Sequence, residues 1–234
     1  MSPIISSLPS SFGNLTTYPK IVTNGLVLHL DAGQQSSYNG GTTWRDLSGL
    51  GNNGTLVNGV GYSSANGGSL TFNGSNQYVT LSNLQVLTQI TVSAWVKTNN
   101  IVNEQMVFST GSSSSSRIQF EFWTSKLNFQ VNAFNSGNYG NTTFLSSTWY
   151  NIVAVYDISN LIRIYYVNSK FDGNLTENES LPSASFSIGA IGRDTSSSSY
   201  YFNGNISQVS IYKRALTASE IQQNFQALRG RFGI

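Results

Sequence analysis

The sequence predicts an all-β fold, in which two antiparallel sheets pack as a sandwich and one short helix follows at the C-terminus. Three observations support this prediction. Most apolar segments alternate with a period of two, the pattern of a strand with one buried and one exposed face. Asn-Gly pairs recur along the chain, and both residues tolerate the positive φ angles of tight turns. A helical period follows only near the end, beyond Thr217.

The alternating segments identify the strands and their buried faces. In segment 90–96 an apolar side chain occupies every second position, and segments 118–122 and 127–131 follow the same pattern. Each of these segments therefore directs one face to the core and the other to water. Segments 150–156 and 162–167 are richer in apolar residues on both faces, which predicts central strands.

The predicted helix begins at a capping box. Thr217 stands at the N-cap position and Glu220 three residues later, so each side chain can bind the free backbone N–H of the other. Ile221, Phe225 and Leu228 then recur at helical spacing and form one apolar stripe. We expect this stripe to seal the edge of the sandwich.

The composition excludes several functional classes. Charged residues make up 9% of the 234-residue chain, against about 25% in ordinary globular domains, and the net charge is +2. Nucleic-acid binding is not expected, because it needs a concentrated basic patch. The absence of cysteine excludes a disulfide, a thiolate nucleophile and a cysteine-based metal site. We expect neither a signal peptide nor membrane association, since the sequence shows no basic and apolar leader and no apolar run of ~20 residues.

The chain is predicted to divide into an extended N-terminal arm, residues 1–24, and a folded domain, residues 25–234. The first 20 residues contain three prolines and many serine and threonine residues without periodicity. Two interpretations stay open: a disordered start, or an arm that orders on a partner. The candidate attachment residues of such an arm are Ile4, Ile5, Leu8 and Phe12.

Six segments, taken together and in order, carry a family pattern over nearly all of the chain beyond residue 24. They are 25–33 (GLVLHLDAG), 43–56 (TWRDLSGLGNNGTL), 70–79 (LTFNGSNQYV), 90–96 (ITVSAWV), 149–156 and 201–221. The set resembles the laminin-G-like members of the concanavalin A-like lectin/glucanase superfamily. The resemblance implies a jelly-roll sandwich of two curved antiparallel sheets.

The two ends of the domain carry a second, shorter resemblance. Segment 19–23 (PKIVT), before the first strand, and segment 228–234 (LRGRFGI) are similar to structural proteins of tailed bacteriophages. This similarity implies a virion component such as a head decoration, a neck or tail fibre, or a receptor-facing module. The expected location is the virion surface. The expected partners are other virion proteins of the capsid, neck or tail, in an oligomeric arrangement.

The catalytic and calcium-binding patterns of the superfamily are not filled here. Its glucanases carry paired carboxylates on one strand, in an E-x-D-x-x-E pattern; Glu121 is the nearest acid, but Trp123 stands where the second acid would be. The turn 73–77 reads NGSNQ, without the Asp residues that relatives often carry there. His29, the only histidine, is interpreted as structural. We therefore expect no enzymatic activity, no metal site and no cofactor.

Exposed aromatic residues near amides remain as candidates for a functional site. A pyranose stacks its C–H face on an aromatic ring, while its hydroxyl groups bind Asn or Gln side chains. The candidate glycan-binding residues are Trp123, Asn135, Tyr139, Tyr200 and Tyr201. For Trp123 a covered position stays an open alternative, and the other three tryptophans are expected in the core or in edge packing.

Two functional hypotheses follow from these observations. The first is a non-enzymatic structural, decoration or fibre component of a bacteriophage virion that displays a lectin-like module on the particle. The second is a carbohydrate-binding lectin module that adheres to host surface polysaccharide. The hypotheses overlap, because a virion lectin would satisfy both.

Overall fold

The computed structural model describes most of the chain. The described residues are 19–82, 84, 89–101, 104–113, 116–131, 140–176, 188–197 and 199–234. Two of the predicted glycan-binding residues, Asn135 and Tyr139, lie outside this part of the chain. The candidate attachment residues Ile4, Ile5, Leu8 and Phe12 lie outside it as well.

The secondary structure confirms the all-β prediction. The described residues contain fifteen strands and one α-helix, α1 (Ala218–Leu228). In chain order the strands are β1 (Leu26–Asp31), β2 (Thr43–Trp44), β3 (Gly54–Val57), β4 (Gly61–Ser63), β5 (Ser69–Asn73), β6 (Tyr78–Ser82), β7 (Ile90–Thr98), β8 (Gln105–Ser113), β9 (Ser116–Trp123), β10 (Lys126–Val131), β11 (Tyr150–Asp157), β12 (Ile162–Val167), β13 (Lys170–Thr176), β14 (Ile188–Ile191) and β15 (Asn203–Tyr212). Short 3₁₀ turns occupy Ala65–Gly67 and Arg229–Arg231.

The strands form two antiparallel sheets that pack as a sandwich, consistent with a jelly roll. Sheet A has the order β13-β12-β11-β7-β15-β5-β4, with β1 also paired to β15. Sheet B has the order β10-β9-β8-β14-β6-β3-β2. Strands β11 and β12 lie inside sheet A, each with a neighbour on both sides, as their apolar sequences predict.

The core lies between the sheets and is built from the predicted faces. Ile90, Val92 and Ala94 of β7 belong to the same buried cluster as Phe120 of β9 and Phe129 of β10. The residues between them point away from the core, because successive side chains of a strand alternate in direction. Each sheet therefore has a separate outer face, and these outer faces carry the features described below.

Helix α1 begins at the predicted capping box. Thr217 Oγ1 accepts a hydrogen bond from the backbone N–H of Glu220 at 3.3 Å, and the Glu220 carboxylate accepts one from the N–H of Thr217 at 2.9 Å. The guanidinium of Arg214 donates to both carboxylate oxygens of Glu220, at 2.8 and 2.5 Å. These hydrogen bonds hold the pKa of Glu220 at about 2, with the bond to Arg214 as the largest cause.

The apolar stripe of α1 covers the outer face of sheet A, so the expectation that it seals a sandwich edge is wrong. Ile221 is buried in a cluster with Val153 and Tyr166, and Phe225 stacks on Trp95 with ring centroids 5.6 Å apart. Trp95 lies between two core residues of β7 and therefore points outward. Part of the outer face of sheet A is therefore apolar, and the helix covers that part.

The residues that enter β1 and those that follow α1 meet on this same outer face. Val22, which the sequence assigns to the arm, is buried and donates its backbone N–H to Asn224 Oδ1 of α1 at 2.7 Å. Beyond the helix, Phe232 stacks on Trp95 with ring centroids 4.0 Å apart. Both ends of the described domain therefore leave it from the outer side of sheet A.

The Asn-Gly pairs do not all mark hairpin turns, contrary to the simplest prediction. The pairs at 58–59 and 73–74 connect strands of opposite sheets rather than paired neighbours. The pair at 203–204 lies inside β15, and Gly204 takes part in the strand ladder. A Cβ on Gly204 would lie 2.2 Å from Lys97 O, so the close approach of β7 requires glycine there.

The remaining tryptophans and the histidine are part of the packed structure. Trp44, Trp95 and Trp149 are buried, as the sequence predicts. His29 is buried on β1 with Nδ1 2.9 Å from Ser210 Oγ, and burial lowers its pKa. Among the described residues no helix has the length and apolar character needed to cross a bilayer.

Candidate functional site

A cleft of about 440 Å³ opens where three connections between strands meet. These are the β5–β6 turn, the β7–β8 connection and the β14–β15 loop. The described residues that line it, here called the tyrosine cleft, are Gly74, Asn100, Glu104, Gln105, Tyr200, Tyr201 and Asn203. The cleft therefore combines two of the predicted glycan-binding residues with amide and carboxylate side chains.

The β5–β6 turn is held by one asparagine. Asn73 Oδ1 accepts hydrogen bonds from the backbone N–H groups of Ser75 and Asn76, at 2.9 and 3.2 Å. Gly74 adopts a φ of +73° and donates its N–H to Phe202 O at 2.9 Å, which ties the turn to the β14–β15 loop. Asn73 lies in the turn where relatives often carry Asp, and its Oδ1 is used in hydrogen bonds within that turn.

The side chain of Gln105 links the β7–β8 connection to the start of β15, where the β14–β15 loop ends. Its Oε1 accepts hydrogen bonds from Thr98 Oγ1 at 3.1 Å and from the backbone N–H of Asn203 at 2.8 Å, and its Nε2 donates to Asn100 O. The side chain is buried. Gln105 therefore fixes the positions of Asn100 and Asn203, which line the cleft; Asn203 Oδ1 also accepts a hydrogen bond from Asn99 Nδ2 at 3.1 Å.

Tyr200 is held in a backbone conformation that is uncommon for a large side chain. Its φ is +59°, in the left-handed region, where non-glycine residues are strained by about 1 kcal/mol or more. Its carbonyl oxygen accepts a hydrogen bond from Met106 N of β8 at 2.8 Å. Its side chain is 40% exposed. Strained residues often occur at functional sites, which makes Tyr200 a candidate ligand contact.

Tyr201 lies near the aromatic ring of Tyr78, the first residue of β6. Its ring lies 6.4 Å from that of Tyr78, at an interplanar angle of 48°. The guanidinium of Arg193 lies over the Tyr78 ring at 4.0 Å, and this contact packs Tyr78 from a second side. Tyr201 is half-buried, so part of its ring remains open to a ligand.

Carboxyl groups surround Tyr200. Its pKa is raised by the charge of Glu104, then by burial, and then by its side-chain hydrogen bond to Glu104, with smaller contributions from Glu121 and Asp194. Tyr200 therefore keeps its proton at neutral pH, and its hydroxyl donates a hydrogen bond to the Glu104 carboxylate. Glu104 Oε2 is buried without a hydrogen-bond partner in the described part of the chain.

Glu121 lies on the outer face of sheet B and is almost fully covered, at 1% exposure. Its Oε1 accepts hydrogen bonds from Asn128 Nδ2 at 2.9 Å and Gln130 Nε2 at 3.2 Å. Burial raises the pKa of Glu121 to about 7, and the charges of Glu104 and Asp194 act in the same direction. Glu121 can therefore hold a proton near neutral pH, and its side chain is covered in this structure.

Trp123 lies near the tyrosine cleft but is not among the described residues that line it. It ends β9 and is half-buried. The ladder pairs Phe122 with Gln105, so its continuation brings Trp123 next to Glu104 on the neighbouring strand. The structure thus places Tyr200, Tyr201 and Trp123 at one end of sheet B.

Sequence reasoning missed the polar half of the cleft. Glu104 shows no pairing in sequence with another acid, and Gln105 resembles any polar residue at the start of a strand. The signals that could have found the cleft are local: the NGSNQ turn at 73–77 and the paired asparagines at 99–100. These segments meet only because strands β5, β7 and β15 lie side by side in sheet A.

The comparison with protein families gives the class of the fold. Residues 73–222, more than half of the chain, match the laminin G-like family model of the concanavalin A-like lectin/glucanases superfamily. The chain therefore belongs to this superfamily, which confirms the resemblance seen in the sequence. A comparison with curated protein sequences finds no significant match.

Solved structures share the same fold at low sequence identity. Domain 4 of AbnA, a GH43 extracellular arabinanase from Geobacillus stearothermophilus solved with arabinotriose, matches with a TM-score of 0.69 and 19% identity, over 85% of this chain and 97% of that one. Trypanosoma rangeli sialidase with sialic acid matches with a TM-score of 0.64 and 15% identity, over 88% and 33%. The binding domain of botulinum neurotoxin DC with rat synaptotagmin II matches with a TM-score of 0.68 and 14% identity, over 88% and 52%. The chain thus spans about a third to half of the last two proteins.

Proposed function

We propose that this protein is a carbohydrate-binding module whose ligand site is the tyrosine cleft. The observation that carries the proposal is the arrangement of Tyr200 and Tyr201 beside Asn100, Asn203 and Glu104 in the lining of one cleft. Aromatic faces bind the C–H surface of a sugar ring, while amides and carboxylates bind its hydroxyl groups. All of these groups lie in one cleft of a size suited to a small ligand.

The charges favour a neutral glycan. Glu104, Glu121 and Asp194 all raise the pKa of Tyr200, so the potential at this ring is negative. A sialic acid or uronic acid carboxylate would be repelled there, whereas hydroxyl groups would be attracted as donors. The AbnA domain, of the same fold, was solved with the neutral sugar arabinotriose, which makes that sugar a reasonable first probe.

The module is proposed to be non-enzymatic. Hydrolysis of a glycoside by this superfamily needs two carboxyl groups that reach the scissile bond. Glu121 has the raised pKa of a general acid, but it is covered and bound by two amides. Incubation of the protein with a bound glycan should therefore leave the glycan intact, and release of reducing ends would contradict this part of the proposal.

We also propose that the module is displayed on the surface of a bacteriophage particle. The support for this display is the similarity of segments 19–23 and 228–234 to phage structural proteins, together with the positions of those segments. Both lie on the outer side of sheet A, whereas the cleft lies where the connections between the two sheets meet. Attachment through residues 1–18 on the outer side of sheet A would thus leave the cleft uncovered.

A glycan array tests the ligand class. The soluble protein is applied to an array that includes arabinotriose and sialylated oligosaccharides, and affinities are then measured by calorimetry. Wild-type protein should bind neutral glycans. Tyr200→Asn, which keeps a residue that tolerates positive φ, should weaken binding at the cleft about tenfold. Phe171→Ala, which removes an exposed ring from β13, serves as the matched control and should bind as the wild type does. Absence of binding to all arrayed glycans would contradict the proposal.

Deletion of residues 1–18 tests the proposed attachment to a bacteriophage particle. Those residues precede the contacts of Val22 with α1, so the deletion should leave the folded domain and its glycan binding unchanged. Incorporation into phage particles, measured by mass spectrometry of purified virions, should be lost. Unimpaired incorporation would contradict attachment through the arm.

A further inference from the structure

A second concave site lies at the open edge of the sandwich, between the edge strands β2 of sheet B and β4 of sheet A. Tyr62 is the middle residue of β4 and pairs with Leu70, a core residue. Paired residues point to the same face of a sheet, so Tyr62 points inward. It nevertheless remains 50% exposed, because β4 is the last strand of its sheet.

Tyr38 comes from the β1–β2 connection and completes the site. Its ring packs against the core and lies 5.4 Å from the ring of Tyr62, at an interplanar angle of 38°. Burial, and then the neighbouring Tyr62, raise the pKa of Tyr38, so it keeps its proton at neutral pH. Its hydroxyl donates to Gly41 O at 3.2 Å, which fixes the ring. The two tilted rings form an apolar surface with hydroxyl groups at its margin.

The rim of this site is made of uncharged polar groups and glycine. A cavity of about 350 Å³ is lined by Gln35, Tyr38, Asn39, Gly40 and Tyr62. The guanidinium of Arg45 donates to Asn39 Oδ1 at 2.9 Å, which orients the amide and leaves its Nδ2 hydrogens to donate elsewhere. Gly40 has a φ of +100° and no atom within 4 Å of the place where a Cβ would stand, so the rim is open at this point.

We infer that the Tyr38–Tyr62 pair, with the amides of Gln35 and Asn39, forms a second binding site for a neutral saccharide. The rings offer the C–H face of a pyranose or furanose an aromatic surface, and the amides offer both donors and acceptors to its hydroxyl groups. The inference rests on the proposed function only in its ligand class, since none of its residues belongs to the tyrosine cleft.

A short saccharide fits this site better than an extended peptide does. A proline-rich peptide also binds to aromatic residues, but it needs a groove that continues over several residues. The cavity here is at the small end of the range of about 300–1,000 Å³ that small-ligand pockets occupy, and it is bounded by a single pair of rings. The five lining residues carry no charge, and the guanidinium of Arg45 at the rim is bound to Asn39 Oδ1.

The two sites lie close together across strands β4 and β5, so one glycan chain can engage both. Tyr62 pairs with Leu70, and β5 then runs four residues further to Gly74 at the tyrosine cleft. This separation is about 13 Å along the strand plus one inter-strand spacing of about 4.8 Å. A chain of several sugar units that occupies both sites would bind more tightly than either site alone, through the high effective concentration of the second contact.

Titration of single and double variants tests the second site. Arabinotriose and a longer arabino-oligosaccharide are titrated into the wild type, Tyr62→Ala, Tyr200→Asn and the double variant. Tyr62→Ala should weaken binding of the longer ligand about tenfold, Tyr62→Phe should restore most of it, and the double variant should bind neither sugar. Thermal unfolding checks that each variant is folded, and Phe171→Ala again serves as the control, because it removes an exposed ring from the opposite edge of sheet A.

The outcomes separate this inference from the proposed function. If Tyr200→Asn alone abolishes all binding and Tyr62→Ala has no effect, the second site is wrong and the tyrosine cleft stands. If Tyr62→Ala alone abolishes binding, the second site stands and the cleft is wrong. If arabinotriose, the longer oligosaccharide and the glycan array all fail to bind the wild type, both are wrong. Binding of a proline-rich decapeptide that Tyr62→Ala abolishes, with no saccharide bound there, would also overturn the inference.

Discussion

The guanidinium of Arg231 binds the carboxylate of Asp31 across 200 positions of the chain. Its Nη1 lies 2.9 and 2.8 Å from the two carboxylate oxygens, and its Nη2 donates to Ser207 Oγ at 2.9 Å. The Asp31 side chain is fully buried, at 0% exposure, at the end of β1. The segment after α1 is therefore joined to the first strand of the domain and supplies the counter-charge that this buried carboxylate needs.

Arg231→Ala should lower the free energy of unfolding by about 3 kcal/mol, because it leaves the buried Asp31 carboxylate without its counter-charge. Chemical denaturation measures this change. Arg229→Ala is the matched control: Arg229 is exposed, and its removal should change the free energy by less than about 0.5 kcal/mol. Equal effects of the two substitutions would show that the ion pair contributes little.

Thr217→Ala should destabilise the protein by about 1 kcal/mol, since the backbone N–H of Glu220 loses its capping acceptor. Thr217→Ser keeps the oxygen and should retain most of the stability. Thermal unfolding followed by circular dichroism compares the two variants. A serine variant as unstable as the alanine variant would mean that the threonine methyl group, and not the cap, supplies the stability.

Glu121 should make stability depend on pH near neutrality. Its pKa is about 7 in the folded protein, because of burial first, and 4.5 is the ordinary value. Asn128 and Arg117 oppose the rise, and Glu104 and Asp194 add to it. The folded protein therefore retains a proton that the unfolded chain releases between pH 4.5 and 7, and stability falls as pH rises through this interval.

Glu121→Gln should remove this dependence. Because the pKa of Glu121 is raised, the wild type should lose roughly 3 kcal/mol of its free energy of unfolding above pH 7. The variant should therefore be more stable than the wild type at pH 8 and closer to it at pH 4.5. Denaturation curves across this pH range give the comparison. A variant with the same slope as the wild type would assign the pH dependence to other groups.

Gly74→Ala should distort the tyrosine cleft. Gly74 has a φ of +73°, and a Cβ there would lie 2.8 Å from Asn203 Cβ, so the turn must shift away from a lining residue. We expect a loss of stability of about 1 kcal/mol or more and weaker glycan binding. Gly230→Ala is the control, since nothing lies within 4 Å of its Cβ position and its φ is not positive. Undiminished glycan binding by the Gly74 variant would show that the β5–β6 turn does not shape the binding site.

Much of the fold could be predicted from the sequence because its signals are local. The alternation in 90–96 gives the core face of β7, and the Thr217–Glu220 pair gives the first turn of α1. The position of α1 could not be predicted in this way. Its apolar stripe fits an edge or a face equally well, and only the outward direction of Trp95 within sheet A decides between them.

The candidate site could be predicted only in part, because its residues come from distant segments. The sequence predicts Tyr200 and Tyr201 as exposed aromatic residues near amides. Glu104 carries no sequence signal of its own and becomes notable only where the fold brings it beside Tyr200. The Asn-Gly pair predicts a turn at Asn203, but Asn203 begins β15, because the ladder with β5 and β7 outweighs the local Asn-Gly preference.

Backbone amide shifts measured by NMR during titration with arabinotriose test the central claim most directly. The claim is that a neutral saccharide binds in the tyrosine cleft. It predicts large, saturable shifts at Gly74, Tyr201 and Asn203, which Tyr200→Asn reduces, with no shifts on β13 at the opposite edge of sheet A. Saturable shifts elsewhere on the domain, with these three amides unchanged, would contradict it.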